Sequence, residues 1–307
     1  MKNKLNIKKY LPFLLLFSSF YANAQYNKNL KKADVVAHWE KGDEFIYEQI
    51  EKEYRINKKD TLITKNKKFD VKLLIVDQDS ASYTIHWENT PDLSAYPPEI
   101  AQNIQSKIGN SVFKYKTDQY GEFTELLNID EIIEFNNRTM DLMLESIPDE
   151  KKRKEFEEVS KIITGNQEVI TQFAISKINT FHYFYGNSLE LGKRNEQEFE
   201  SLNPITKNKI VYKQLMEFES VDEIDNTYSL YSEIAPKQSN MLDEIKSTLE
   251  TIISKEVKEM DQIKNFDYIS KILQVTHDSG VILYQLKRDF IEADNEEMVK
   301  ELEFILK

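Results

Sequence analysis

Three residues whose side chains form the catalytic triad of many hydrolases stand together in THDSG, residues 276–280. His277, Asp278 and Ser279 are consecutive and precede Gly280. A triad needs serine bonded to histidine and histidine bonded to the carboxylate, and its members normally come from separate segments. Consecutive side chains in a tight loop are expected to point in different directions, and no GxSxG sequence surrounds Ser279. The stretch is therefore predicted to be a turn, with catalysis as the alternative, and no catalytic residue is assigned.

A histidine and a carboxylate also share one face of a predicted strand. His86 and Glu88 lie two residues apart, as metal ligands on a strand would. No HExxH sequence accompanies them and the chain has no Cys, so a half-buried histidine beside Trp87 is favoured. We predict no metal site and no cofactor. Acidic pairs are too common in this chain to single out an acid and a base, and whether it is an enzyme stays open, leaning towards no.

Aromatic residues indicate another kind of site. FHYFY, residues 181–185, ends a predicted helix, and Tyr83 and Trp87 share one side of a predicted strand. Core or interface packing is the favoured interpretation of such rings. The alternative is a cavity for an apolar ligand, and its candidate lining residues are Tyr83, Trp87, Phe181 and Tyr185.

The first 24 residues have the three parts of a secretory signal peptide. A start with four Lys and no acid precedes the apolar run LPFLLLFSSFY and the small residues of ANAQ. Cleavage is predicted after Ala24, which would leave Gln25 first. The alternative is a membrane anchor, but a spanning helix needs about 20 apolar residues. No Cys follows as an acceptor for lipid. We expect export to the periplasm, with secretion as the alternative.

The remaining chain is acidic. Without residues 1–24, 37 basic residues face 53 acidic ones, a net charge of −16. Such a charge repels nucleic acid and anionic lipid, so neither is expected as a partner. No disulfide is available, and a packed core must therefore stabilise the fold.

Hydrophobic periodicity predicts the elements that position these residues. A meander of three strands comes first, followed by a helix that ends at Gly109, two strands around DQYG, and a long helix before Pro148. Helices are then predicted at about 149–164 and 166–185, and a further one of about 24 residues from Ser239. A short helix is predicted at the C-terminal end. The strands are predicted at 43–57, 69–76, 82–88, about 194–201, 210–220, 227–234, 266–276 and 281–291.

This order, β-β-β-α-β-β-α from 43 to 147, recurs from about 192 to 307. TDQYG (117–121) aligns with THDSG, which indicates a four-residue hairpin turn in each copy. The final residues, Gly121 and Gly280, would take a positive φ that glycine adopts without strain. An internal duplication is predicted; the alternative is that antiparallel proteins reuse the same turns.

We therefore predict an α+β fold, with antiparallel β-sheet of about ten strands packed against helices and two pseudo-repeated halves. The signal peptide would occupy 1–24, the first half 25–147, connecting helices 148–190, and the second half 191–307. The halves would form one continuous domain or a pseudo-symmetric pair.

The Lys-, Asn- and Ile-rich composition, the ANAQ junction and YKTDQYGEFTELLNIDEI resemble uncharacterised exported proteins of Bacteroidota. The resemblance implies a periplasmic protein and no particular activity. DTL (60–62) and DSA (79–81) are similar to the O-glycosylation pattern of that phylum, with Thr61 and Ser80 as acceptors. The predicted architecture resembles that of periplasmic lipoprotein carriers.

Three functions fit these expectations. The first is a non-enzymatic binding or interaction module, with an apolar ligand held between sheet and helices. The second is a structural partner in an envelope complex. The third is a hydrolase without a recognisable motif, for which His86, His182 and His277 would be the best candidates.

Overall fold

The computed structural model of the protein describes residues 25–57, 60–90, 93, 98–203, 205–237, 241–253, 257–294 and 296–307. The predicted signal peptide, which ends at Ala24, lies outside these residues. Gln25, the predicted first residue after cleavage, is buried.

Two antiparallel sheets make up the β structure. The small sheet pairs β1 (Tyr26–Asn27) with β2 (Lys32–Asp34), and β2 with β8 (Ser188–Glu190). The large sheet has eleven strands in the order β7-β6-β5-β4-β3-β14-β13-β12-β11-β10-β9. These strands are β3 (Glu44–Asn57), β4 (Asp60–Gln78), β5 (Ser82–Asn89), β6 (Ser111–Asp118), β7 (Phe123–Leu126), β9 (Arg194–Leu202), β10 (Lys209–Asp222), β11 (Thr227–Pro236), β12 (Phe266–His277), β13 (Ile282–Ala293) and β14 (Glu296–Leu306).

The halves of the chain meet at the centre of the large sheet, where β3 pairs antiparallel with β14. They therefore form one continuous sheet. The predicted C-terminal helix is wrong, because residues 296–306 form β14. Its Glu, Lys, Leu and Met residues favour a helix, but β3 and β13 both offer it backbone partners, and Phe304 is fully buried. Pairing and burial outweigh the small intrinsic preference.

Five helices are described: α1 (Pro98–Ile108), α2 (Ile129–Ser146), α3 (Glu150–Thr164), α4 (Gln167–Phe181) and α5 (Met241–Ile253). The helix predicted from Ser239 is shorter than expected in the described residues. Ser239 and 254–256 lie outside them, and a 3-10 helix spans Lys258–Gln262. No helix of the described ranges is long and apolar enough to cross a membrane.

Helix α4 packs on the large sheet. The side chain of Asn166 accepts a hydrogen bond from the Val169 amide and begins the helix. Ile170, Ala174 and Ile178 recur every fourth residue and are buried, as on the apolar stripe of an amphipathic helix. We call the face of the sheet towards α4 the inner face.

The α+β class and the large antiparallel sheet are confirmed. The second half does not have the predicted element order, since it ends in a strand. The internal duplication stays a prediction.

Candidate functional site

Along its central strands, the inner face changes from buried to open. Phe304 is buried, whereas Lys300 of the same strand lines an open cleft. Because alternate residues share a face, Gln49, Glu51 and Glu53 of β3 follow the same course from buried to open. The cleft between α4 and strands β3, β4, β13 and β14 has a volume of about 380 Å³, and is called the α4 cleft.

Glu51 is a largely enclosed acid of the cleft, with its side chain 13% exposed. Its carboxylate accepts hydrogen bonds from the ammonium groups of Lys177 in α4 and Lys65 in β4. Burial alone would raise the pKa of Glu51, but the charges and hydrogen bonds of Lys177 and Lys65 outweigh burial and lower the pKa. The ammonium of Lys177 also lies 5.3 Å from the centre of the Phe69 ring. The Glu51 carboxylate is therefore charged, and its ion pairs link α4 to β3 and β4.

The opposite wall holds a second ion pair and a cation without one. Lys287 Nζ lies 3.1 Å from the Asp289 carboxylate, which also accepts a hydrogen bond from the Tyr268 hydroxyl at 3.0 Å. Lys300 of β14 is exposed and lies across the strands from Asp289 and Glu53. Within the described ranges it makes no ion pair.

An aromatic ring stands at the rim of the α4 cleft. Phe173 of α4 is 69% exposed, although the next residue, Ala174, is buried. Folding does not use this ring, so it can offer apolar surface beside the charged floor.

The four predicted ligand-lining residues lie elsewhere on the inner face. Tyr83, Trp87, Phe181 and Tyr185 are buried, and none of them lines the α4 cleft. Trp87 and Phe181 meet edge to face, with ring centres 5.4 Å apart. The hydroxyl of Tyr83 donates to the Ala37 carbonyl at 3.2 Å and that of Tyr185 to the Gly280 carbonyl at 2.6 Å. The rings thus already pack against other rings, and the two hydroxyls already donate hydrogen bonds within the chain.

His182 is buried among these rings, a place that the sequence did not indicate. Its Nδ1 lies 2.7 Å from the Gly121 carbonyl and its Nε2 2.8 Å from the Tyr115 hydroxyl. A carbonyl can only accept, so Nδ1 donates and Nε2 accepts from Tyr115. Burial lowers the pKa of His182 to about 4, although the bond to Gly121 opposes this shift. The imidazole is thus held neutral with both nitrogens engaged.

The THDSG stretch forms a hairpin turn. The Gly280 amide donates to the His277 carbonyl at 2.8 Å, and Gly280 has a φ of 84°. The other turn is alike: the Gly121 amide donates to the Asp118 carbonyl at 3.2 Å, and φ is 96°. Each stretch is thus a hairpin turn whose last residue is a glycine with positive φ.

Two side chains of THDSG meet, which corrects one expectation. His277 Nδ1 accepts from the Ser279 amide at 3.1 Å and lies 2.8 Å from Ser279 Oγ. Asp278 instead accepts from the Tyr26 amide at 3.0 Å. Asp118 accepts from the Tyr120 amide in the same way at 2.9 Å, so the His277 ring closes the turn as that carboxylate does.

His86 faces Lys114 across the sheet. Burial, and then the Lys114 charge, lower its pKa. Glu88 accepts a hydrogen bond from the side-chain amide of Asn110 at 2.8 Å. In the described part of the chain, no group of three or more His, Cys, Asp or Glu is placed to hold a metal ion.

The predicted acceptors of glycosylation are both exposed. Thr61 pairs with Ile56 near the β3–β4 hairpin. Ser80 lies between β4 and β5 in a turn closed by Asp79, whose carboxylate accepts from the Ala81 amide at 2.8 Å.

Comparison with protein-family models and with curated proteins gave no match to this chain. The geometry of the site is therefore the basis for function.

Proposed function

We propose that the chain is an exported, non-enzymatic binding module that holds a small ligand with an acidic group in the α4 cleft. One observation carries this proposal. The cleft has five Lys and four acids in its lining, a small excess of cations on a protein whose net charge is −12; they are Lys52, Lys65, Lys177, Lys287 and Lys300 with Glu51, Glu53, Asp289 and Glu301. Its volume of about 380 Å³ suits a small ligand.

The distribution of ion pairs supports an acidic ligand. Glu51 pairs with two of these cations and Asp289 with a third. Lys52 pairs with Glu301 and Glu303, whereas Lys300 makes no ion pair in the described ranges. An incoming carboxylate or phosphate would bind Lys300 through a charge-assisted hydrogen bond. Phe173 at the rim would cover an apolar part of the same ligand.

The proposed ligand is more polar than the one that the sequence predicts. Around Tyr83, Trp87, Phe181 and Tyr185, neighbouring rings and backbone fill the space. The open volume lies along β3 and β14, two to four residues from the buried Gln49 and Phe304. The proposed protein is still a binding module, but its ligand would lie at the charged end of the inner face and not among the aromatic rings.

Isothermal titration calorimetry tests the ligand class. We expect citrate, succinate or inorganic phosphate to bind at low ionic strength and glycerol not to bind. Lys300→Gln should weaken binding at least tenfold, since it removes the unpaired cation. Lys209→Gln is the matched control, because Lys209 is exposed and pairs with Glu200 outside the cleft. Absence of binding by all three acids, or equal loss in both variants, would overturn the proposal.

Export is a separate part of the proposal. The basic start, apolar run and ANAQ junction of residues 1–24 support it, as does the resemblance to exported proteins of Bacteroidota. After expression of the full chain in a Gram-negative host, N-terminal sequencing of the periplasmic fraction should begin at Gln25. Recovery of the uncut chain from the cytoplasm alone would contradict it.

A further inference from the structure

The large sheet ends at β9 with a long free edge. β9 pairs with β10 in one uninterrupted register from Arg194 to Leu202, and in the described ranges no strand pairs with its other side. Eight of its nine residues are exposed, so backbone donors and acceptors along that side face solvent. Edge strands of this kind readily accept another strand.

β9 lacks some of the features that usually protect such an edge. It contains no Pro, and its register has no bulge, although four of its residues are charged. The opposite edge differs: β7 has only four residues, and α2 begins soon after it at Ile129. The longer and more open edge at β9 is therefore the better candidate for an interaction surface.

The charges along β9 indicate what fits there. Glu196, Glu198 and Glu200 alternate, so their side chains share the outer face of the sheet. Lys237 and Lys209, which pair with Glu198 and Glu200, come from the β10 and β11 side. Three carboxylates thus stand in a row beside the free edge, and two of them share their charge with a Lys.

A groove adjoins this row on the outer face. Its volume is about 540 Å³, and its walls carry three acids and one cation beside apolar surface: Glu196, Glu198, Glu233, Lys213, Leu215 and Ala235. Side chains with an aliphatic stem and a cationic end, Lys or Arg, match both the apolar and the acidic parts.

We propose that β9 is the docking edge for an extended basic segment of a partner protein, which adds as a further strand. Lys or Arg at alternate positions of the segment would lie opposite Glu196, Glu198 and Glu200. Main-chain hydrogen bonds supply affinity in this mode and alternate side chains supply specificity. This interaction is separate from the α4 cleft and goes beyond the proposed function.

A second copy of the chain is a poorer occupant. Two β9 strands paired antiparallel about Glu198 would place Glu196 opposite Glu200, and like charges directly opposite each other are unfavourable. Dimerisation through β9 would therefore contradict the proposal, and sedimentation velocity detects it.

Peptides test the docking edge. By fluorescence anisotropy with the full mature chain, a labelled nine-residue peptide of alternating Lys and Thr should bind at least tenfold more tightly than its Glu counterpart. Methylation of alternate backbone nitrogens should abolish binding in one register and spare it in the other, because only one set of amides faces β9. Absence of binding, or equal binding of both methylated peptides, would overturn strand addition.

Charge variants test the location. Glu196→Gln with Glu198→Gln should weaken binding of the Lys peptide at least tenfold. Glu134→Gln with Glu150→Gln changes the net charge equally at exposed helical sites and should leave binding unchanged. Equal weakening in both pairs would show attraction to net charge and refute docking at β9. Circular dichroism checks that each variant is folded.

Discussion

Two regions of the inner face adjoin each other along α4, β3 and β14, and they differ in packing and in charge. In the packed region, Phe181 of α4 meets Trp87 and Phe304 edge to face. One turn earlier on α4, Lys177 reaches Glu51 across the α4 cleft. A few residues along an element thus separate a filled apolar interior from an open charged one. The difference indicates that one end of the face maintains the fold and the other is available for a ligand.

Two phenylalanines of α4 give the largest expected contrast. Phe181→Ala should lower the free energy of unfolding by about 3–5 kcal/mol, since it leaves a cavity among packed rings. Phe173→Ala should change it by less than about 0.5 kcal/mol, since that ring is exposed. Urea denaturation measures both. Similar losses would show that the two regions are not distinct.

Two glycines test how tightly the packed region is enclosed. Gly280 and Gly192 both have positive φ, but a Cβ at Gly280 would lie 2.4 Å from the Val36 carbonyl oxygen, whereas Gly192 faces open space. Gly192→Ala should cost about 1–2 kcal/mol for backbone strain. Gly280→Ala should cost a further 1–3 kcal/mol or so through overpacking. Equal melting temperatures of the two variants would mean that the segment around Val36 does not pack closely against this turn.

The pH dependence of His182 distinguishes the packed region from the surface. Its pKa is about 4 in the folded protein against 6.5 for the ordinary group, so folding favours the neutral form. This stabilisation is complete above about pH 6.5 and is lost as the pH falls towards 4, by about 3 kcal/mol. NMR of the folded chain should show an unchanged His182 ring from pH 8 to pH 5. A titration midpoint near 6.5 would contradict its burial.

Substitutions in the α4 cleft should change the free energy of unfolding only slightly. Lys177→Gln leaves Glu51 with Lys65, so the loss should be about 0.5–1 kcal/mol, reduced by solvent screening of a partly exposed ammonium. The matched control Lys209→Gln should cost less. A loss of several kcal/mol in urea denaturation would instead make the ion pairs part of the folding core.

Much of the fold could be predicted because its strands are long and amphipathic. Val71, Leu73 and Ile75 alternate and are all buried, and the turn glycines can be recognised from TDQYG and THDSG. The sequence does not indicate β14 as a strand, because its composition favours a helix and only its two neighbours show otherwise. β1, β2 and β8 have two or three residues each, too few for a periodic pattern.

The candidate site could not be predicted from the sequence. Lys and Glu alternate along many strands of this chain, and nothing local marks Glu51 or Lys300 as different from Glu48 or Lys68. Their separation in sequence is large, and only the β3–β14 pairing at the centre of the sheet brings them together. The sequence does show the aromatic rings, but a ring that lines a cavity and one that fills a core have the same sequence signal.

Titration of citrate into the ¹⁵N-labelled chain, followed by NMR, tests the division of the inner face most directly. We expect saturable shifts of the backbone amides of Glu51, Lys177 and Lys300, while the indole signals of Trp39 and Trp87 stay in place. Shifts centred on the indoles, or no saturable shift at Lys300, would contradict a closed aromatic region beside an open ligand-binding cleft.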